Sequence, residues 1–218
     1  NNSEIERKAF KTLKEPVDNI YLTLDEVTRL YELNLNHKKH LQLIRDVFLV
    51  GVFTAQRYSD YSKINKSNVQ MKDGEKYIVR TQQKTREKCI IPIRPELEAS
   101  LQKYDYTMPK THEQKLNAGI KDICFIAEIA EPIQVQKNKA GLIVKSIVKK
   151  CDLVRSHTAR RTGCTLMYLA GIPNIDIMKI SGHKTEKEFL KYINVNKEET
   201  AKRLSKHEYF SKPAMRVV

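Results

Sequence analysis

The hydrophobic period of the chain changes between residues 67 and 93, and this change constrains the fold more than any other feature. The runs "NVQM", "KYIVRT" and "KCIIPI" are short and strand-like, and "KDGE" (72–75) supplies an Asp-Gly turn between the first two. The segment "QKTRE" supplies the second turn. Since helical patterns lie on both sides, we expect an α+β fold, mainly α, with a small three-stranded antiparallel β-meander.

Helices are predicted before and after the meander. "LTLDEVTRLYEL" begins one, with Thr23 as its N-cap and Glu26 completing a capping box, and residues 40–55 predict a mostly buried helix. A 3.6-residue period runs from Leu116 to Ala127. Further helices are predicted for "AGLIVKSIVKKC" (140–151), for "TARRTGCTLMYLAG" with Gly171 and Pro173 ending it, and for "NIDIMKISG", "EKEFLKYI" and "KEETAKRLSKHEYF".

The charge balance indicates the class of partner. Lys and Arg total 40 against 26 Asp and Glu, a net charge of +14, which favours nucleic acid first and an anionic membrane surface second. Trp is absent and no apolar run is long enough to span a membrane. The four cysteines form no CxxC motif, so we interpret them as reduced thiols of a cytoplasmic protein.

Several chemistries lack their motifs in this sequence. There is no GxxxxGK or GxGxxG phosphate loop, no HExxH, no GxSxG and no carboxylate cluster at metal-binding spacing. A phosphate chemistry here would have to neutralise charge with Arg, Lys and His side chains. We therefore expect no metal and no cofactor.

The side chains suited to that task fall in four short boxes and one β-turn. The boxes are "TAQRYSD" (54–60), "SHTARR" (156–161), "SGHKT" (181–185) and "FLKYI" (189–193). His157 and Arg160 stand three apart on one face of a helix start, and Tyr192 stands nine positions after His183. The candidates are Arg57, Asp60, Lys84, His157, Arg160, His183 and Tyr192.

In this order the boxes resemble the catalytic domain of the tyrosine recombinase, or phage-type integrase, family. The resemblance covers about residues 20 to 200. "TAQRYSD" resembles the family's first-arginine box, with Ala55 where a Gly is usual, and "HTARRT" resembles its H-x-x-R box. "SGH" resembles its L-G-H box with Ser for Leu. "HTARRT" and "FLKYI" are most similar to integrases of Bacteroidetes mobile elements.

The resemblance implies a site-specific recombinase that cleaves and rejoins DNA strands through a 3′-phosphotyrosine, without metal, to integrate or excise a mobile element. Tyr192 would be the nucleophile, and Arg57 and Arg160 would bind the phosphate. The other implied roles are a phosphate hydrogen bond from His183, proton acceptance by His157, general-acid catalysis by Lys84, and positioning of an Arg or His by Asp60.

The resemblance also implies a domain organisation and partners. Residues 1–20 would link to an N-terminal core-binding domain, 21–200 would be the catalytic domain, and 201–218 a C-terminal tail that packs in cis or on a neighbouring protomer. Duplex DNA is the expected partner, bound by a homotetramer, with the isolated chain a monomer. Residues 136–161 hold eight Lys or Arg and one acidic residue, which favours a DNA-tracking surface. Predicted DNA contacts are Arg86, Lys88, Arg161 and Lys184.

Alternatives remain open for the activity and for single residues. A type IB topoisomerase-like enzyme shares this chemistry, and a non-catalytic basic DNA-binding module would need no particular tyrosine. Lys88 is the alternative to Lys84, and Arg161 the alternative to Arg160. The other tyrosines considered as nucleophiles are Tyr58, Tyr168 and Tyr209.

Overall fold

The structure, a computed structural model, describes residues 20–139, 142–193, 195 and 197–211. It confirms a mainly helical α+β fold with a three-stranded antiparallel sheet. The helices are α1 (Leu24–Glu32), α2 (Lys39–Thr54), α3 (Tyr58–Tyr61), α4 (Pro95–Gln102), α5 (Glu113–Ile126), α6 (Lys150–Leu153), α7 (Ser156–Leu169), α8 (Asn174–Ser181), α9 (Glu186–Leu190), α10 (Lys197–Leu204) and α11 (Glu208–Ser211). The strands are β1 (Val69–Lys72), β2 (Glu75–Thr81), β3 (Lys88–Pro92), β4 (Pro132–Lys139) and β5 (Leu142–Lys149).

The predicted meander is confirmed as the sheet β1-β2-β3. Asp73 and Gly74 both have positive φ, as the tight turn between β1 and β2 requires. Alternate residues of β3 are buried, and Ile91 pairs with Ile78 of β2, which has no exposed surface. One face of the sheet therefore packs on the core while the other faces solvent.

Helix α2 is the centre of the core and packs against both α5 and α7. Its residues Val47, Phe48 and Val50 have no exposed surface. Gly163 lets α7 approach α2 closely, since a Cβ at this position would lie 2.2 Å from the carbonyl oxygen of Val52. This close approach brings the start of α7, with "SHTARR", next to the end of α2, with "TAQR".

The prediction of a helix over residues 140–151 is wrong. Leu142–Lys149 forms strand β5, paired antiparallel with β4 so that Val148 lies opposite Ile133. Its β-branched residues favour a strand, and the preceding segment supplies the edge on which it pairs. Only Lys150 and Cys151 of the predicted helix are helical, within α6; residues 140–141 lie outside the described residues.

The segment before α1 and helix α10 both contact α7: the backbone N–H of Leu22 donates to Oγ1 of Thr162 at 3.0 Å. The predicted capping box of α1 is confirmed, with Thr23 Oγ1 accepting from the backbone N–H of Glu26 at 3.3 Å. Tyr21 donates to Glu199 at 2.7 Å, and Arg203 donates to the carbonyl of Tyr168 at 3.1 Å. Helix α10 thus crosses residue 200, the predicted end of the catalytic domain. Among the described residues, no helix is both long and apolar enough to cross a membrane.

Candidate active site

An open cleft of about 700 Å³ lies between the start of α7, the β2–β3 turn and the segment from α8 to Tyr192. It contains five of the six predicted catalytic side chains, and the sixth, Arg160, lies directly behind them. The residues of its wall are Arg57, Tyr58, Ser59, Lys84, Thr85, Glu113, Ser156, His157, His183, Lys184, Glu188, Lys191 and Tyr192.

Arg57 is half-buried at the junction of α2 and α3. Helix α2 ends at Ala55, which has a left-handed conformation with φ of 52°, and this explains why Gly is usual there. Arg57 follows in an extended conformation and caps α3. Its Nη1 donates to Oε1 of Gln82 at 2.6 Å, so a neutral amide holds the guanidinium at the cleft.

Arg160 has no exposed surface. Its Nη1 donates to the carbonyl oxygens of Ala55 at 2.9 Å and Ser181 at 2.6 Å, and its Nη2 lies 2.9 Å from Nε2 of His183. The guanidinium carbon lies 5.3 Å from the ring centroid of Tyr192, in cation–π range. In this arrangement Tyr192 and His183 lie against the guanidinium and separate it from the cleft.

His183 follows Gly182, whose positive φ of 70° ends α8. The hydroxyl of Ser181 donates to the carbonyl of Ile177, so it accepts from Nδ1–H of His183 at 2.8 Å. Nε2 then carries the lone pair and accepts from Arg160. Desolvation, followed by the charges of Arg160 and Arg57, lowers the pKa of His183 to about 3, so the ring is neutral.

Tyr192 lies in the cleft, with its ring centroid 4.5 Å from that of His183 and 5.1 Å from that of His157. Helix α9 carries it there because Phe189 is fully buried against Cys164 and Ile177. The hydroxyl of Thr165 also donates to the Tyr192 carbonyl at 3.1 Å. The segment from Phe189 to Tyr192 is therefore attached at both of its ends to α7 and the elements next to it.

His157 stands in the first turn of α7, exposed to the cleft. Partial desolvation of the ring, and then the charges of Arg161, Arg160, Arg57 and Lys84, lower the pKa of His157 to about 4. At neutral pH the ring is therefore neutral, and the surrounding cations make it a weaker base than free imidazole.

Lys84 is exposed in the β2–β3 turn and lines the cleft. The backbone N–H of Gln82 donates to the carbonyl of Glu87 at 2.8 Å and closes the turn, while Arg86 adopts a positive φ of 59°. This geometry points the turn, with Lys84, at the same opening as Arg57 and Tyr192.

The sequence profile of the phage integrase family matches residues 21–199. The chain belongs to the phage integrase family. The match spans the four boxes and the β2–β3 turn.

Three solved structures illustrate the structural similarity of this integrase-family chain. XerA recombinase has a TM-score of 0.60 at 17% identity, over 90% of this chain and 64% of that one. Lambda integrase (75–356), a dimer bound to a COC′ core site, has a TM-score of 0.59 at 19% identity, over 85% and 62%. The catalytic domain of bacteriophage HP1 integrase has a TM-score of 0.53 at 20% identity, over 89% and 98%.

The chain spans little more than half the length of a further similar structure, 53% of XerH recombinase bound to difH. None of the curated proteins compared with it matches in sequence. The structural likeness shows a shared fold.

The carboxylate of Asp60 binds neither the Arg57 guanidinium nor a histidine of the cleft, although the Asp60 backbone N–H donates to the Arg57 carbonyl at 2.8 Å. It is fully buried, accepts from the backbone N–H of Gln83 at 3.0 Å and lies 3.6 Å from Nε of Arg80. The carboxylate thus lies beside Arg80 of β2 and the base of the Lys84 turn, and the positioning role predicted for Asp60 stays a prediction.

The four predicted DNA contacts occupy different environments. Lys184 lines the cleft, 3.3 Å from Glu87, and Arg161 is half-buried with its guanidinium carbon 5.7 Å from the Tyr192 ring centroid. Arg86 and Lys88 are exposed on the sheet side of the turn and are not part of the described cleft wall.

The alternative tyrosines are engaged elsewhere. Tyr58 lines the cleft, but its hydroxyl donates to the Thr111 carbonyl. Tyr168 lies along α7 and accepts from Arg203 at 3.3 Å, while Tyr209 is exposed in α11. Of these tyrosines, only Tyr192 stacks on both cleft histidines.

Sequence reasoning missed the buried polar residues behind the cleft, above all Gln56, Gln82 and Ser181, each without exposed surface. It also missed the cleft residues Glu113, Glu188 and Lys191. No local pattern marks Gln82 or Ser181, because their contacts join segments distant in sequence.

Proposed function

We propose that this domain cleaves and rejoins DNA strands through a covalent 3′-phosphotyrosine, as a site-specific recombinase. One observation carries the proposal: the ring of Tyr192 lies against two neutral histidines and over Arg160, in a cleft that also holds Arg57 and Lys84. A nucleophile, a proton acceptor and several cations thus meet at one opening. This is the arrangement that attack on a phosphodiester needs.

In the proposed reaction, the Tyr192 oxygen attacks phosphorus and the bond to the 5′-oxygen breaks. His157, neutral before the reaction, accepts the phenolic proton; the negative charge of the bound phosphate offsets the cations that lower its pKa. Arg57 and Arg160 bind the non-bridging oxygens, and Lys84 protonates the departing 5′-oxygen. The reverse reaction, by a second 5′-hydroxyl, rejoins the strand without an external energy source, and the cations replace a metal.

The buried position of Arg160 adds a step to this reaction. Tyr192 must swing toward the scissile phosphate, which uncovers the guanidinium as the nucleophile advances. For His183 to donate to the phosphate through Nε2, its ring must first take up a proton, since Nδ1–H is committed to Ser181. An approaching phosphate favours that protonation.

The biological setting is part of the same proposal. Duplex DNA would bind through Lys184, Arg161, Arg86 and Lys88 around the cleft, in the cytoplasm. A homotetramer is proposed because lambda integrase forms a tetramer on a Holliday junction. Integration or excision of a mobile element is proposed because a Tn1549 transposon integrase binds circular intermediate DNA. The likeness to Bacteroidetes integrases, the linker at 1–20 and a tail acting in cis or trans remain predictions.

The test uses the 218-residue chain, EDTA and nicked suicide duplexes with randomised sequence, so that no target is presupposed. We expect a covalent protein–DNA adduct that Tyr192→Phe abolishes and Tyr209→Phe retains. DNA binding without any adduct would instead favour the non-catalytic module. Relaxation of supercoiled plasmid without strand exchange would favour the topoisomerase alternative. An adduct that required magnesium would refute the proposed mechanism.

A further inference from the structure

We propose that Gln82 is a positioning residue that holds Arg57 in its phosphate-binding orientation through a neutral carbonyl. The inference rests on the proposed function and adds to it a residue that acts through Arg57 rather than on DNA.

The amide of Gln82 uses all four of its hydrogen-bonding positions. Its Oε1 accepts from Nη1 of Arg57 at 2.6 Å and from the hydroxyl of Thr85 at 2.7 Å. Its Nε2 donates to Oε1 of Gln56 and to the carbonyl of Ser181, both at 2.6 Å. If the amide were flipped, its NH2 group would face the Arg57 donor and its oxygen would face the Ser181 carbonyl, so the neighbours determine its orientation. The Gln82 side chain has no exposed surface, so no water lies beside it to replace a lost bond.

The four partners belong to the three segments that carry the site. Gln56 and Arg57 follow α2, Thr85 stands beside Lys84 in the β2–β3 turn, and Ser181 ends α8 and binds His183. Gly182 accommodates this convergence, because a Cβ there would lie 2.5 Å from the Gln82 amide. One buried side chain thus sets the spacing between Arg57, the Lys84 turn and His183.

The neutrality of the amide matters as much as its position. Carboxylates commonly orient arginines, but a carboxylate at this position would neutralise part of the positive charge with which Arg57 binds the phosphate. The nearby carboxylate, Asp60, is directed to Arg80 instead. Gln82 therefore orients Arg57 and leaves its full charge for the transition state.

The experiment compares Gln82→Ala and Gln82→Glu with the wild-type chain, using a suicide duplex that the wild type cleaves. Gln83→Ala is the matched control, because Gln83 is the exposed neighbour and it binds Asp60 through its backbone only. Single-turnover cleavage is measured at saturating DNA, and affinity is measured over a salt series.

We expect Gln82→Ala to slow cleavage roughly 10- to 100-fold, as small misplacements of phosphate-binding groups do, with the Kd for DNA within about threefold of wild type. Gln82→Glu should cleave still more slowly. It should also lower the slope of log affinity against log salt by about 0.9, the loss of one phosphate contact. Gln83→Ala should match the wild type in both measurements.

The outcomes separate this inference from the proposed function. If the wild type forms no adduct on any duplex, the proposed function fails. If the wild type cleaves and Gln82→Ala cleaves equally fast, only the positioning role fails. If cleavage and affinity fall together in Gln82→Ala, where no charge is introduced, Gln82 is only a structural residue and the inference is also overturned. Should Gln82→Ala not fold, the same criteria apply to Gln82→Met, which keeps the side-chain volume.

Discussion

Nη2 of Arg160 lies 2.9 Å from Nε2 of His183, and this contact makes the histidine an acceptor. Nδ1 already donates to Ser181, so the ring has a single proton and faces the guanidinium with a lone pair. The two groups proposed to bind phosphate therefore satisfy one another in this structure. In the proposed reaction the phosphate must separate them before either contributes.

The first prediction concerns pH. Folding lowers the pKa of His183 from 6.5 to about 3. Between these two pH values the ring is therefore protonated in the unfolded state and neutral in the folded state. The stability contributed by neutral His183 is complete above pH 6.5 and decreases as the pH falls toward 3. Between pH 6 and pH 4 this loss is about 1 kcal/mol per pH unit in free energy of unfolding.

Urea unfolding at several pH values tests this, with His183→Gln and the exposed-site control His37→Gln. His183→Gln should flatten the acid limb of the stability profile, whereas His37→Gln should follow the wild type. Parallel profiles for wild type and His183→Gln would show that the ring is not held neutral by folding.

The second prediction concerns the cover that Tyr192 places over Arg160. Removing the ring exposes the guanidinium to phosphate, whereas Tyr192→Phe keeps the ring and removes only the hydroxyl. A cation–π contact of about 1 kcal/mol corresponds to roughly fivefold in affinity. We expect Tyr192→Ala to bind duplex DNA about fivefold more tightly than Tyr192→Phe in fluorescence anisotropy at fixed salt. Equal affinities for the two inactive variants would mean that the ring does not compete with phosphate.

The third prediction concerns the closest approach of α2 and α7. A methyl group at Gly163 would lie 2.2 Å from a backbone oxygen, that of Val52, so the helices must separate. At Gly119 the group that a new methyl meets is Cδ1 of Ile44, the end of a side chain that can rotate. We expect Gly163→Ala to reduce the free energy of unfolding by about 1–3 kcal/mol, and Gly119→Ala by clearly less. Chemical denaturation measures both, and the reverse order would contradict the packing described for these helices.

Elements whose pattern is local were predictable from the sequence. The capping box of α1, the buried α2 and the Asp-Gly hairpin of β1 and β2 each follow from a few neighbouring residues. Strand β5 was not predictable in this way, because its apolar run suits either a helix or a strand and β4 decides between them. Helix α4 was missed although Pro95 and Glu96 mark its first turn.

The site shows the same division. The six predicted catalytic residues were chosen from their spacing along the chain, and five of them line one cleft, with Arg160 behind it. The burial of Arg160 and the contacts of Gln82 could not be predicted in this way, because they depend on how α2, α7, α8 and the meander meet. The partner of Asp60 was also unpredictable, since Arg80 reaches it only through the register of β2.

The last prediction concerns a buried ion cluster that joins the start of α6 to α1. Nζ of Lys150 lies 2.6 Å and 2.8 Å from the two carboxylate oxygens of Glu26 and 2.9 Å from Glu131. Both Lys150 and Glu26 are buried, so removing the ammonium leaves a carboxylate without its countercharge in a medium of low polarity.

We expect Lys150→Met to lower the free energy of unfolding by about 3–5 kcal/mol. The exposed Lys145→Met, on the preceding strand β5, should change it by less than about 0.5 kcal/mol. The double variant Lys150→Met with Glu26→Gln should recover part of the loss, because no charge then remains buried; a double variant no more stable than Lys150→Met alone would show that the cluster acts through packing.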